Sequence, residues 1–209
     1  LAQNIKVVKK TKIYSQLLKE DSNYLMIELK ELIPSIQYEL LYATPNNFTK
    51  KQLYRNGDIT FLRRPAAKAL QKVQIELQRL GYGLKIYDAY RPYGATKQMW
   101  ELIKDERYVA NPAKGSGHNR GLAVDLTIVD LRSREELDMG TGFDNFTDTA
   151  HHSFTHLLPE VLKNRALLRS LMEKHGFKAL QTEWWHYSWP NNRNYDVLDI
   201  EFRRLRRSS

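Results

Sequence analysis

Apolar residues recur along this chain with two different periods. Over 65–80, Ala66, Leu70, Val73, Leu77 and Leu80 follow one another at steps of four and three, the stripe of an amphipathic helix. Pro65 suits its first turn and Gly81 its stop. A second helix is predicted over 159–175, opened by Pro159 and ended by Gly176, and a shorter one over 95–103. The run 84–89 reads as a buried strand. Over 122–129, Leu122, Val124, Leu126 and Ile128 alternate with Ala123, Asp125, Thr127 and Val129, which predicts a strand with Asp125 on one face. The aromatic-rich 177–189 is predicted as another strand, and 24–33 as extended chain up to Pro34. Helices interspersed with hairpin-like strands predict a single α+β domain with a mainly antiparallel sheet flanked by helices.

No repeat, low-complexity tract or long linker divides the 209 residues. The expected organisation is an N-terminal extension over 1–22, a domain over 23–195 and a basic C-terminal tail over 196–209. Lys and Arg number 33 against 24 Asp and Glu, a net charge of +9. That charge is scattered and carries no nucleic-acid-binding signature, so nucleic acid is not an expected partner. Its densest run, Arg203, Arg204, Arg206 and Arg207, reads as a solvated tail, with contact to an anionic surface as the alternative. No apolar run approaches the roughly 20 residues of a membrane span. The chain starts at Leu1 rather than Met, so a removed signal peptide and a periplasmic or exported location are the expectation. A trimmed cytoplasmic chain is the alternative. Cysteine is absent, so any metal site must draw on His, Asp and Glu.

Three clusters carry chemistry. In Ser116-Gly117-His118-Asn119-Arg120-Gly121-Leu122-Ala123-Val124-Asp125, a glycine-rich loop leads into a strand, and His118 and Asp125 both suit zinc. A hydrogen-bonded structural pair fits the same two residues. In Glu183-Trp184-Trp185-His186, His186 is a candidate third ligand and Glu183 a candidate base. The alternative is an imidazole packed among aromatics. Residues three apart on an ideal strand point to opposite faces, so Glu183 and His186 share a site only across a break in the strand. In Tyr87-Asp88-Ala89-Tyr90-Arg91-Pro92-Tyr93, Arg91 suits an oxyanion partner or an ion pair with Asp88.

Together, Ser-x-His-x-x-Gly-x-Ala-x-Asp and Glu-x-Trp-His resemble the signature of the zinc D-Ala-D-Ala peptidases, which share a fold with the Hedgehog signalling domain. Tyr42-Ala43-Thr44, Asn47-Phe48-Thr49, Tyr90-Arg91-Pro92 and Gly140-Thr141-Gly142-Phe143-Asp144 resemble blocks of one branch, the VanX-type D-alanyl-D-alanine dipeptidases. The resemblance covers roughly residues 24–190. It implies zinc-dependent hydrolysis of D-Ala-D-Ala to two D-alanines, with one Zn²⁺ per chain held by His118, Asp125 and His186. It implies Glu183 as general base and Arg91 as oxyanion partner. It places Asp144 and Tyr42 near the substrate's ammonium and Ser116 near its carboxylate. Asp144 also reads as a plain turn residue in a glycine-rich stretch, and Arg120 is given no catalytic task. Gly117 departs from the pattern, since the dipeptidases carry a second Ser there. The competing functions are a D,D-carboxypeptidase acting on peptidoglycan peptides and a zinc-containing, non-catalytic binding module.

Overall fold

The computed structural model describes residues 5–208. The chain enters through β1 (Val7–Val8) and α1 (Thr11–Glu20), then passes through β2 (Met26–Glu28), α2 (Leu29–Leu32), β3 (Gln37–Tyr38) and β4 (Phe61–Arg63). The middle of the molecule is α3 (Arg64–Arg79), β5 (Tyr82–Asp88), α4 (Tyr93–Leu102) and β6 (Ala123–Asp130). It ends with α5 (Pro159–Lys174), β7 (Lys178–Ala179), β8 (His186–Ser188), β9 (Val197–Leu198) and α6 (Phe202–Arg206).

The main sheet has the strand order β3-β5-β6-β8-β7. Its β3–β5 pair is parallel and its other pairs are antiparallel. This is the α+β arrangement the two periods imply. Two small ribbons, β1 with β9 and β2 with β4, flank it. Each long helix begins with proline in its first turn, as read from the sequence. α3 buries Ala66, Leu70, Val73 and Leu77 of the predicted stripe, while Leu80 caps the helix and is exposed. Val124, Leu126 and Ile128 of β6 join the same core.

The registers fix what matters for function. Asp125 of β6 stands opposite His186 of β8 on one side and opposite Asp88 of β5 on the other. A register shift between Ile86 and Asp88 makes the second pairing possible. Three chemically active side chains therefore form a row across adjacent strands.

Both terminal segments, as far as they are described, are built into the fold. In the extension over 1–22, of which Leu1–Asn4 lie outside the described residues, 11–20 forms helix α1. Its Tyr14 is buried, and the Tyr14 hydroxyl accepts a bond from Met26 N at 2.8 Å. The apolar stripe of Ile13, Tyr14, Leu17 and Leu18 is short and diluted by lysines, which hides it in the sequence. The segment over 24–33 is β2 followed by one helical turn that stops before Pro34.

In the expected basic tail over 196–209, of which Ser209 lies outside the described residues, regular structure likewise forms. β9 pairs with β1, and α6 turns Phe202 and Leu205 inward while Arg203 and Arg204 face solvent. Phe202 packs against Tyr54, Phe61 and Tyr90, and the Tyr90 hydroxyl donates to Ile200 O at 2.8 Å. Arg206 pairs with the buried Glu28 at 2.9 Å. Arg63 ties the C-terminal segment to the middle, donating to Asp196 O at 3.3 Å. The fully buried Arg63 donates to Tyr24 O and Arg120 O, and sits between the rings of Tyr24 and Tyr195. Phe202→Ala should therefore destabilise the protein by about 3–5 kcal/mol in urea unfolding. Arg203→Ala, on the exposed side of the same helix, should stay within about 0.5 kcal/mol of the parent.

Candidate metal centre and active site

His118 lies in a single 3-10 turn, His118–Arg120, between the glycine-rich loop and β6. Gly121 ends the turn with φ 68°, where a Cβ would come within 2.5 Å of the Met26 side chain. Gly117 has an equally local reason to be glycine. A Cβ there would meet Ala123 Cβ at 2.9 Å, so the serine of the family pattern requires a small shift of the loop against Ala123. Arg120, given no task from sequence, donates to Ser116 O, Lys114 O and Tyr195 O and so clamps the loop from behind.

The turn aims the His118 ring. Its Nδ1 lies 2.8 Å from Ala89 O, which makes Nδ1 the protonated nitrogen and leaves the Nε2 lone pair facing the site. His118 Nε2 is 3.3 Å from His186 Nδ1 and 3.4 Å from Asp125 Oδ2. His186 Nδ1 is 2.8 Å from Asp125 Oδ1. One donor atom from each of these three residues lies within 4.8 Å of the others, a group able to hold a metal ion. Ligands about 2.0–2.1 Å from a tetrahedral zinc stand about 3.3 Å apart, so the observed spacings fit such an ion with small adjustment. The donor set is two imidazoles and one carboxylate, which leaves a fourth position open.

The 177–189 segment is two short strands, β7 and β8, joined by a loop, rather than one strand. Glu183 lies in that loop and His186 begins β8, with His186 N bonded to Glu183 O at 3.3 Å. The tight turn provides the break that lets both side chains face one site, and Glu183 Oε2 comes within 3.9 Å of His186 Nδ1. Trp184 and Trp185 are buried and meet edge to face, with ring centres 5.4 Å apart. Trp184 donates to Thr141 Oγ1 at 2.7 Å and so ties the hairpin to the stretch that carries Asp144.

Arg91 follows β5 and is buried. Its Nε donates to Asp88 Oδ2 at 2.8 Å, and Nη2 lies 2.7 Å from the same oxygen and 3.9 Å from Asp125 Oδ2. The guanidinium lies 4.9 Å from the Tyr42 ring centre. Sequence offered an oxyanion partner or an ion pair with Asp88; the structure shows the ion pair and places Arg91 on the cavity wall. Asp144 sits in left-handed backbone, φ 58°, and both its oxygens are 3.0 Å from the Tyr42 hydroxyl. It is thus both a turn residue and part of the site. The Ser116 hydroxyl oxygen accepts from Asn119 N at 3.1 Å, which leaves its own proton free to donate.

The eight site residues read from the sequence, Tyr42, Arg91, Ser116, His118, Asp125, Asp144, Glu183 and His186, line one cavity of about 310 Å³, at the small end of ligand sites. A second cavity of about 300 Å³ adjoins it and shares Glu106, Arg107, Tyr108, Phe146, Leu180 and Glu183. Sequence reading missed these wall residues other than Glu183. Glu106, Arg107 and Tyr108 lie in irregular chain with no periodicity to mark them.

The acids in this cavity are strongly perturbed. Burial raises Glu183 to about 7, with His186 pulling the other way and Asp125 adding to the rise. Burial and the Asp125 charge push Asp144 well above the usual carboxylate range. Burial also opposes ionisation of Asp125, but His118 and His186 overcome it and hold Asp125 low. His186 is raised: burial pulls it down, and the bond to Asp125 outweighs that. Desolvation works against the Arg91 charge, yet Asp88 keeps it firmly protonated.

The sequence has relatives. The family model described as D-ala-D-ala dipeptidase, Peptidase M15, matches residues 22–204. A D-alanyl-D-alanine dipeptidase of Escherichia coli (strain K12) is 36% identical over 177 residues, which cover 85% of this chain and 91% of that one. One from Enterococcus faecalis (strain ATCC 700802 / V583) is 33% identical over 179 residues, covering 76% and 88%. Among solved structures, the LdcB LD-carboxypeptidase is 23% identical with a TM-score of 0.40, covering 64% of this chain and 61% of that one. The matched span includes each strand that lines the cavity and every residue of the His118, Asp125, His186 and Glu183 constellation, and on that match this chain belongs to the D-Ala-D-Ala dipeptidase family of peptidases.

Proposed function

We propose that this chain hydrolyses D-Ala-D-Ala to two D-alanines at the cavity bounded by Glu183, Arg91 and Asp144, with His118, Asp125 and His186 holding one zinc ion. The observation that carries the reading is Glu183. It is a nearly buried carboxyl raised to about 7, 3.9 Å from a candidate ligand nitrogen and inside a small cavity. A general base works best when its pKa lies near the working pH.

Zinc at the three donors would supply Lewis acidity, polarising the scissile carbonyl and lowering the pKa of attacking water. Glu183 accepts a proton from that water as its oxygen bonds to the carbonyl carbon. The negative charge that develops on the carbonyl oxygen lies within reach of Arg91, whose fixed positive charge needs no reorganisation. Glu183 then returns the proton to the leaving nitrogen as the C–N bond breaks, releasing two D-alanines. At one end of the cavity, Asp144 with Tyr42 suits the substrate's ammonium. Ser116, with a free hydroxyl proton, suits its carboxylate.

The test is D-alanine release from D-Ala-D-Ala by protein of measured zinc content. Glu183→Gln should keep about one zinc per chain and lose about 10²–10⁴-fold in kcat. His118→Ala or Asp125→Ala should lose both zinc and turnover, as should treatment with a chelator. Full activity in zinc-replete Glu183→Gln would sink the mechanism.

The pH profile follows from the sign of the shift. Glu183 must be ionised to act as base, so kcat/KM falls as pH drops through its pKa. The acid limb should have an apparent pKa no higher than about 7, and a bound cation moves it lower. N-acetyl-D-Ala-D-Ala, which has no ammonium for Asp144, should be cleaved at least about 10²-fold more slowly. Equal rates on the two substrates would transfer the assignment to a D,D-carboxypeptidase, and zinc bound without turnover to a binding module.

A further inference from the structure

We propose that Asp88 is a positioning residue for this reaction: it locks the Arg91 guanidinium in the orientation that turns its remaining N–H groups into the cavity. The inference rests on the oxyanion role given to Arg91 above.

Asp88 is fully buried at the end of β5, just past the register shift that sets it opposite Asp125. A shift of this kind re-aims a side chain beside a site at the cost of a regular ladder. The Asp88 carboxylate has a partner for each oxygen. Oδ1 accepts from the Tyr54 hydroxyl at 2.8 Å, and Oδ2 accepts from Arg91 Nε at 2.8 Å with Nη2 at 2.7 Å. Tyr54 is itself buried, so the carboxylate cannot swing away. The guanidinium is held on one edge by Asp88 and on one face by Tyr42 at 4.9 Å. Its backbone is fixed as well, with Arg91 N bonded to His118 O and Arg91 O accepting from Asn119 Nδ2. An arginine side chain has several rotatable bonds, and each contact removes freedom that would otherwise be lost on reaching the transition state.

A carboxylate in this place could instead serve only to balance charge for the fold. The two roles separate in a double-mutant cycle on D-Ala-D-Ala hydrolysis. Asp88→Asn keeps the shape but turns a donor toward Tyr54 or Arg91. It should lower kcat about 10–100-fold and leave KM within about twofold. Zinc content should stay at the parent level, a necessary check because His118 Nδ1 lies 3.6 Å from Asp88 Oδ2. Arg91→Ala should cost about 10²–10³-fold in kcat. In the Arg91→Ala background, Asp88→Asn should cost nothing further, since the group it positions is gone. Tyr54→Phe, which keeps both charges, should lower kcat several-fold in the parent and not at all beside Arg91→Ala.

An unchanged kcat in Asp88→Asn would overturn the inference, as would losses that multiply in the double variant. Either result leaves the role of Arg91 standing. Arg91→Ala with the parent's kcat would instead remove the oxyanion reading, and this inference with it.

Discussion

The site depends on one electrostatic constraint: several acids are buried together around a single guanidinium. Asp88 and Asp125 face each other across β5 and β6, and like charges opposed in this way are destabilising unless compensated. Asp144 and Glu183 line the same cavity as Asp125. Arg91 reaches Asp88 and Asp125 but cannot neutralise four carboxyl groups. The balance is met in two ways. Glu183 and Asp144 are driven toward their neutral forms, while Asp125 stays ionised between His118 and His186. A divalent cation held at the three donors would complete this balance, and binding it would then add to folding stability.

Local backbone chemistry makes so crowded an arrangement possible. The register shift on β5 puts Asp88 in the row with Asp125 and His186. The chain segments that supply His118 and Arg91 are stitched together reciprocally. His118 Nδ1 bonds to Ala89 O, Arg91 N to His118 O and Asn119 Nδ2 to Arg91 O. Moving either segment breaks buried hydrogen bonds on both, each costing roughly 1–3 kcal/mol if left unmade. The ligand ring and the guanidinium are therefore positioned as one unit.

What the sequence reveals depends on whether a residue's role is periodic or relational. α3, α5 and β6 are legible because Pro65, Pro159 and the alternation over 122–129 act within a few residues. The constellation of His118, Asp125, Glu183, His186 and Arg91 is legible through joint order, although each cluster alone has an equally good structural explanation. Asp88 was visible only as a possible partner of Arg91, since no local pattern marks the shift that aligns it with Asp125. α1 and α6 are hidden for a different reason. Their buried faces are narrow, Tyr14 in one and Phe202 with Leu205 in the other, and charged neighbours outnumber them. The long-range contacts of Phe202 with Tyr54, Phe61 and Tyr90 decide the structure of the tail, and no short window contains them.

The same charge imbalance gives the proposed reading a source of selectivity. Asp144 is held above its ordinary range by burial and by Asp125, and its hydrogen-bonding partner is the neutral Tyr42 hydroxyl. In that reading an arriving ammonium would favour the ionised form of Asp144 and pair with it. A neutral amide in the same place leaves Asp144 without that partner and adds its own unmet hydrogen bonds. Discrimination against blocked or longer peptides then needs no clash at the cavity wall. In that reading it follows from the burial of Asp144 against the Tyr42 hydroxyl.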